Sequence, residues 1–262
     1  MCWWGGRDTR GNGCAQHDFR KKQKKPPSLE GGGPKGRGVY MTIHVNNIDI
    51  YYEKAGSGPP VILLHGNGET HKIFRVATQR LAEKYTVYAI DSRGHGKSGR
   101  VKALHYADMA EDVARFIEKV GLERPMLYGF SDGGIVALLL AIKYPALLSR
   151  LAVSGANLNP RSLSRGFLRF SRAMYAITRG CRWKLMLSEP DITEEELSRI
   201  EAPVLVLAGG KDIVEARHTR IIAGAIPGAR LRILPGEGHA SYVVNSPKLV
   251  DILEPFFEEG YA

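Results

Sequence analysis

The run Gly129-Phe130-Ser131-Asp132-Gly133 constrains this chain most, because an apolar stretch, 125–128, enters it and a helix-like stretch, 134–143, leaves it. A strand that turns into a helix within five residues holds its central side chain at the strand's C-terminal end. Glycine on both sides removes the Cβ atoms that would crowd so sharp a turn. The Ser131 hydroxyl is therefore expected to stand exposed. The helix after it carries Ile135, Val136, Leu138, Leu139, Leu140 and Ile142, has almost no polar face, and is expected at the centre of the protein.

A serine hydroxyl is a weak nucleophile near neutral pH and needs a base within hydrogen-bond reach, with a carboxylate to orient that base and stabilise its cation. Two later strand ends supply candidates in the chain order Ser, Asp, His. Asp212 follows the apolar run 204–208 and the turn Gly209-Gly210-Lys211, and His239 follows the run 231–234 within Pro235-Gly236-Glu237-Gly238-His239. Upstream, Val61-Ile62-Leu63-Leu64 runs into His65-Gly66-Asn67-Gly68. Continuous apolar runs of this kind are expected of parallel strands covered on both faces.

With Asp91-Ser92-Arg93-Gly94-His95-Gly96-Lys97-Ser98, which is similar to a D-x-R-G-x-G-x-S turn, these motifs resemble the α/β-hydrolase fold superfamily over about residues 40–262. The resemblance implies an α/β class: a mostly parallel, doubly wound sheet with an N-terminal antiparallel hairpin and a short helical cap. It implies Ser131 as nucleophile, His239 as base and Asp212 as its acid, with backbone amides of Asn67 and Asp132 forming an oxyanion hole, and no cofactor or metal. The elbow Gly-Phe-Ser-Asp-Gly-Gly is similar to that of valacyclovir-hydrolase-like esterases. Serine at this position, rather than aspartate, sets the chain apart from the haloalkane dehalogenases and epoxide hydrolases of the same fold.

The expected reaction is cleavage of a carboxylic ester, lactone or thioester in a small molecule, through an acyl-enzyme. A cofactor-free perhydrolase or haloperoxidase-like enzyme uses the same three residues, and a small-molecule receptor on the same fold keeps them too. Where some superfamily members place the acid after the sixth strand, this chain has Gly155-Ala156-Asn157-Leu158 and no acid. Glu237 is two residues from His239 and badly placed to reach the far side of its ring. His65 is expected to act through loop structure. His71, His95, His105 and His218 are read as satisfied or solvated, and the Asp132 side chain as either orienting the elbow or capping the central helix.

The formal charge of +10 raises the question of a nucleic-acid partner. Residues 1–40 hold nine Lys or Arg against three Asp or Glu, so +6 of the charge lies there and +4 in the remainder; with no arginine-aromatic RNA-binding motif, nucleic acid is not expected. Residues 1–38, poor in apolar side chains and rich in glycine and lysine, are expected to be a disordered basic tail. The codons for Gly36-Arg37 can carry a purine-rich ribosome-binding core, so Met41 is expected as the native start in a bacterial gene. Three scattered cysteines, Cys2, Cys14 and Cys181, make no C-x-x-C pair and fit a reducing, cytoplasmic compartment. No apolar run approaches the ~18 residues of a membrane span.

The hydrolase domain is expected over 39–262. Residues 42–45 and 48–54 read as a hairpin around Asn46-Asn47, 70–83 and 105–120 as helices, and 85–90 as a strand. Strand–helix alternation breaks after 151–155 and resumes at Pro203, which leaves a cap of about 158–200. Within it Leu163, Phe167, Phe170, Met174, Ile177 and Cys181 recur at helical spacing, and Arg165, Arg169, Arg172 and Arg179 fall on the opposite side. Phe167, Phe170, Met174 and Ile177 are thus expected to roof the substrate pocket, and the arginines to form a solvated outer face. The oligomeric state is left open.

Overall fold

The computed structural model describes residues 38–259. Strands β1 (Val39–Val45) and β2 (Ile48–Ala55) form the expected hairpin, and its two turn residues, Asn46 and Asn47, take φ of 44° and 60°. That left-handed pair matches the twist of the strands it joins. Strands β3 (Pro60–Leu64), β4 (Thr86–Ile90), β5 (Met126–Phe130), β6 (Arg150–Ser154), β7 (Val204–Lys211) and β8 (Arg230–Gly238) complete one sheet in the order β1-β2-β4-β3-β5-β6-β7-β8. The hairpin joins β4 antiparallel and every later pairing is parallel. The expected mostly parallel sheet with an N-terminal antiparallel pair is what the chain forms.

Helices α1 (Arg75–Leu81), α2 (Tyr106–Val120), α3 (Asp132–Lys143), α4 (Arg165–Thr178), α5 (Cys181–Ser188), α6 (Glu194–Leu197), α7 (Ala216–Ala225) and α8 (Lys248–Glu258) follow in chain order. Alternate side chains of each inner strand enter different cores. Val61 and Leu63 of β3 belong to the core that α1 and α8 cover, whereas Ile62 and Leu64 belong to the core that α2, α3 and α7 cover. Both sets are fully buried, which is why the strand reads as an unbroken apolar run. Each such side chain contributes about 1.5–3 kcal/mol of burial.

The stretch expected as one helix over 70–83 is divided, a 3₁₀ turn at His71–Phe74 leading into α1. Asp91 causes the break: its Oδ1 accepts the His71 backbone N–H at 2.8 Å and sits 2.7 Å from the ring Nδ1, drawing this turn toward the end of β4. Interval 158–200 holds α4, α5 and α6, and the apolar stripe read through Cys181 spans two helices rather than one. Arg179, at φ 51°, ends α4, and Cys181 begins α5 after Gly180. The expected basic tail lies outside the described residues, save Gly38. Among the described residues no helix is long and apolar enough to cross a membrane.

Candidate active site

Ser131 joins β5, in the middle of the sheet, to α3, and adopts φ 53° and ψ −116°. A non-glycine residue in that region costs of order 1–3 kcal/mol, so the surroundings must hold it there. Its N–H donates to Ser154 O on β6 at 2.7 Å, and its carbonyl accepts from Gly134 and Ile135 at 2.9 and 3.1 Å. The flanking glycines allow α3 to lie directly on the sheet. A Cβ on Gly129 would meet Gly133 O at 2.2 Å, and one on Gly133 would meet Leu64 O at 2.2 Å. The sharp turn read from the sequence is therefore a backbone-to-backbone contact.

Asp212 and His239 meet through the register of the last two strands. Lys211 pairs with Gly238 beyond an irregularity near Gly209, so the next residue on each strand stands beside the other. His239 Nδ1 lies 2.6 Å from Asp212 Oδ1, and its Nε2 lies 3.0 Å from Ser131 Oγ. Asp212 accepts two further N–H groups, from Val214 at 3.0 Å and Gly209 at 3.4 Å, which fix its carboxylate. β8 is three strands away from β5, and the loop after it is carried back across the sheet by Tyr242. That ring is fully buried, with its hydroxyl on Ser154 Oγ at the end of β6. The imidazole also rests on the Phe130 ring, with centroids 4.9 Å apart. Glu237 is engaged elsewhere, with Ser241 and Lys248.

On the loop after β3 the Gly66 N–H donates to Glu69 Oε2 at 2.9 Å and is thereby engaged; Asn67 and Asp132 both line the same cavity as Ser131. His65 ties this loop down: its Nδ1 lies 2.8 Å from Gly66 O, and its Nε2 accepts the Ser92 N–H at 3.0 Å. Burial pushes the His65 imidazole down, so it stays neutral and serves as a strut. His71 pairs with Asp91, His105 with Glu189, and His218 with Ser162; His95 departs from that reading, being buried with Nδ1 3.0 Å from Arg93 O and Nε2 without a partner among the described residues.

Burial pushes the Asp132 carboxyl up to about 7, against the pull of hydrogen bonds from Tyr106 and Asn67 and of the nearby His239, and its Oδ2 has no partner among the described residues. An unfolded chain releases this proton near 3.8, so the native state binds the extra proton between the two values. Stability therefore falls as pH rises from about 4 to about 7 and then levels off. Asp132→Asn removes the penalty. Its Tm is expected to exceed the parent's by roughly 5–10 °C near pH 8 and to match it near pH 4.5, which thermal melts at both values check. Equal melting temperatures at the higher pH would overturn this account of Asp132.

The cleft over Ser131 is a cavity of about 410 Å³. Phe167 lines it as expected; Phe170, Met174 and Ile177 do not. The covered positions of α4 are Phe167, Leu168, Ser171, Met174 and Tyr175, a face turned roughly 80° from the stripe of apolar residues at ~100° per residue. The entry to the helix fixes that rotation. Leu163 bridges Val214, Ser164 N–H donates to Ile213 O at 2.8 Å, and Glu215 N–H donates to Ser162 O at 3.0 Å. Leu163, the first residue of the apolar stripe, lines it too, with Ile213 and Val214, and the wall also includes residues the sequence did not single out: Arg182, Trp183 and Met186 of α5, with Glu69, Tyr106 and Glu189. Gly180, a helix-stop signal inside the supposed single helix, was the one pointer toward α5.

A family profile for the α/β hydrolase fold matches residues 59–176. The chain is similar to the human serine hydrolase BPHL, at 27% identity over 82% of this chain and 85% of that one. Among solved structures it resembles Est816, described as an N-acyl homoserine lactone degrading enzyme, with a TM-score of 0.72 at 23% identity over 83% of this chain and 100% of that one. The esterase RhEst1 from Rhodococcus sp. ECU1013 superposes with a TM-score of 0.69 at 22% identity, covering 85% and 98% of the two chains.

Proposed function

We propose, from the premise that this chain is an α/β-hydrolase-fold protein distantly homologous to a serine hydrolase, that it hydrolyses a carboxylic ester, or the related lactone or thioester bond, of a small molecule. One observation carries the reading: a hydroxyl, an imidazole and a carboxylate from three distant parts of the chain stand in a hydrogen-bonded line, with steps of 3.0 and 2.6 Å, at the floor of a cavity.

In this reading Ser131 Oγ attacks the carbonyl carbon while its proton passes to His239 Nε2, and Asp212 stabilises the imidazolium. The oxyanion of the tetrahedral intermediate takes hydrogen bonds from the Asn67 and Asp132 amides, the latter at the positive end of α3. His239 returns the proton to the departing alkoxide or thiolate, which leaves an acyl-serine and a free alcohol or thiol. Water, deprotonated by His239, attacks the acyl carbon, releases the acid and restores Ser131.

A cavity of about 410 Å³ suits acyl groups of short to medium length. A fluorophosphonate probe is expected to label Ser131, and p-nitrophenyl esters of graded chain length to give a kcat/KM that peaks among the shorter acyl groups. Absence of label would count against the reaction. A flat or long-chain profile would count against the size of the site.

A further inference from the structure

α4 leaves apolar side chains uncovered on its solvent side. Phe170 is 52% and Ile177 78% exposed, two of the six exposed large hydrophobic residues among the described residues. At ~100° per residue, Gly166, Phe170, Ala173 and Ile177 occupy one arc about 60° wide. Arg165, Arg169 and Arg172 occupy an adjoining arc of about 60°, and Arg179 follows at the C-terminal cap. All eight positions are exposed. Trp183 of α5 extends the apolar arc, meeting the Phe170 ring edge-on at 5.6 Å.

The charge here is uncompensated. No Asp or Glu occurs between Asn159 and Lys184. The arginine ion pairs of the described residues involve Arg80, Arg93, Arg115, Arg150, Arg199 and Arg230, none of them on α4. A solvated arginine face alone is ordinary. A basic arc lying beside an uncovered apolar arc on one short helix is instead the arrangement of helices that lie in a lipid–water interface.

We propose that the outer face of α4, with the start of α5, docks on an anionic lipid surface. Charge complementarity selects that occupant. A headgroup layer supplies anions for the arginines and an acyl boundary for Phe170 and Ile177, whereas a nucleic acid supplies only the first and a neutral apolar protein face only the second. Phe167, on the inward side of the same helix, lines the cavity, so docking places α4 between the cavity and the lipid. The binding does not rest on the ester-hydrolase reading and is measured without turnover.

The test is flotation of the full chain with vesicles of phosphatidylcholine alone or with about 30% phosphatidylglycerol, at low and high salt. The anionic vesicles are expected to bind at least about tenfold more protein, and most of that binding is expected to be lost in about 0.5 M salt. Arg169→Glu with Arg172→Glu, and separately Phe170→Ser with Ile177→Ser, are each expected to lower partitioning at least about tenfold at unchanged melting temperature. Equal binding to both vesicles, no binding to either, or full binding by the Phe170/Ile177 variant overturns the proposal. So does a dimer of the parent that the same substitutions dissociate, which would assign the face to a second copy of the chain.

Discussion

Ser131→Ala is expected to lower kcat for a p-nitrophenyl ester by about 10⁴–10⁶-fold while leaving the protein folded. The methyl group keeps the Cβ that the turn already accommodates at φ 53°, and the N–H that donates to Ser154 O is unaffected, so the melting temperature should stay close to the parent's. What disappears is the hydroxyl that stands 3.0 Å from His239 Nε2. A loss of this size corresponds to about 5.5–8 kcal/mol of transition-state stabilisation. In the proposed mechanism the residual rate is what the Asn67 and Asp132 amides and the cavity supply without a nucleophile. Steady-state kinetics with fluorophosphonate labelling decide the matter: a variant within tenfold of the parent means that the hydrolysis uses another residue.

Asp212→Asn is expected to reduce kcat by about 10³–10⁴-fold with KM almost unchanged, since Asp212 acts on the ring and not on substrate. The Asp212 side chain is only 2% exposed and faces three donors: the His239 ring and the amides of Val214 and Gly209. A carboxylate accepts from all three, whereas a carboxamide must turn its NH₂ toward at least one of them. If the NH₂ faces Nδ1, the ring moves its proton to Nε2 and cannot take one from Ser131. If it faces Gly209, a donor opposes a donor and the negative charge is still gone. Fluorophosphonate labelling of this variant should slow in parallel with turnover rather than vanish, because Ser131 is still present. A KM increase at constant kcat would assign Asp212 to substrate binding instead.

The elbow was legible because its requirements are local. Gly129 and Gly133 answer to atoms a few residues away or on the adjoining strand, and the runs on either side declare a strand and a helix by themselves. The hairpin turn at Asn46-Asn47 was legible for the same reason. The cap was legible only as a periodic pattern. Phe167, Phe170, Met174 and Ile177 share a stripe, yet only Phe167 reaches the cavity, since the pairing of residues 162–164 with 213–215 rotates α4 about its axis. Periodicity states that a helix has an apolar side but contains nothing about which part of that side meets a surface. Arg182, Trp183 and Met186 could not be found by pattern, because α5 is too short to show a face.

By itself the sequence determined the class of the sheet, the turn that exposes Ser131, and the chain order in which a hydroxyl, an acid and an imidazole follow strand ends. Those are properties of short windows, set by sterics and by the burial of contiguous apolar side chains. The tertiary structure alone decided that the imidazole reaches the hydroxyl, 108 positions away in the chain. Two long-range contacts set that distance: the β7–β8 register, which stands Asp212 beside His239, and the buried Tyr242, which ties the last loop to the end of β6, next to β5. Hydrogen-bond register and side-chain burial across a sheet depend on which segments become neighbours, and no single window of the chain carries that information.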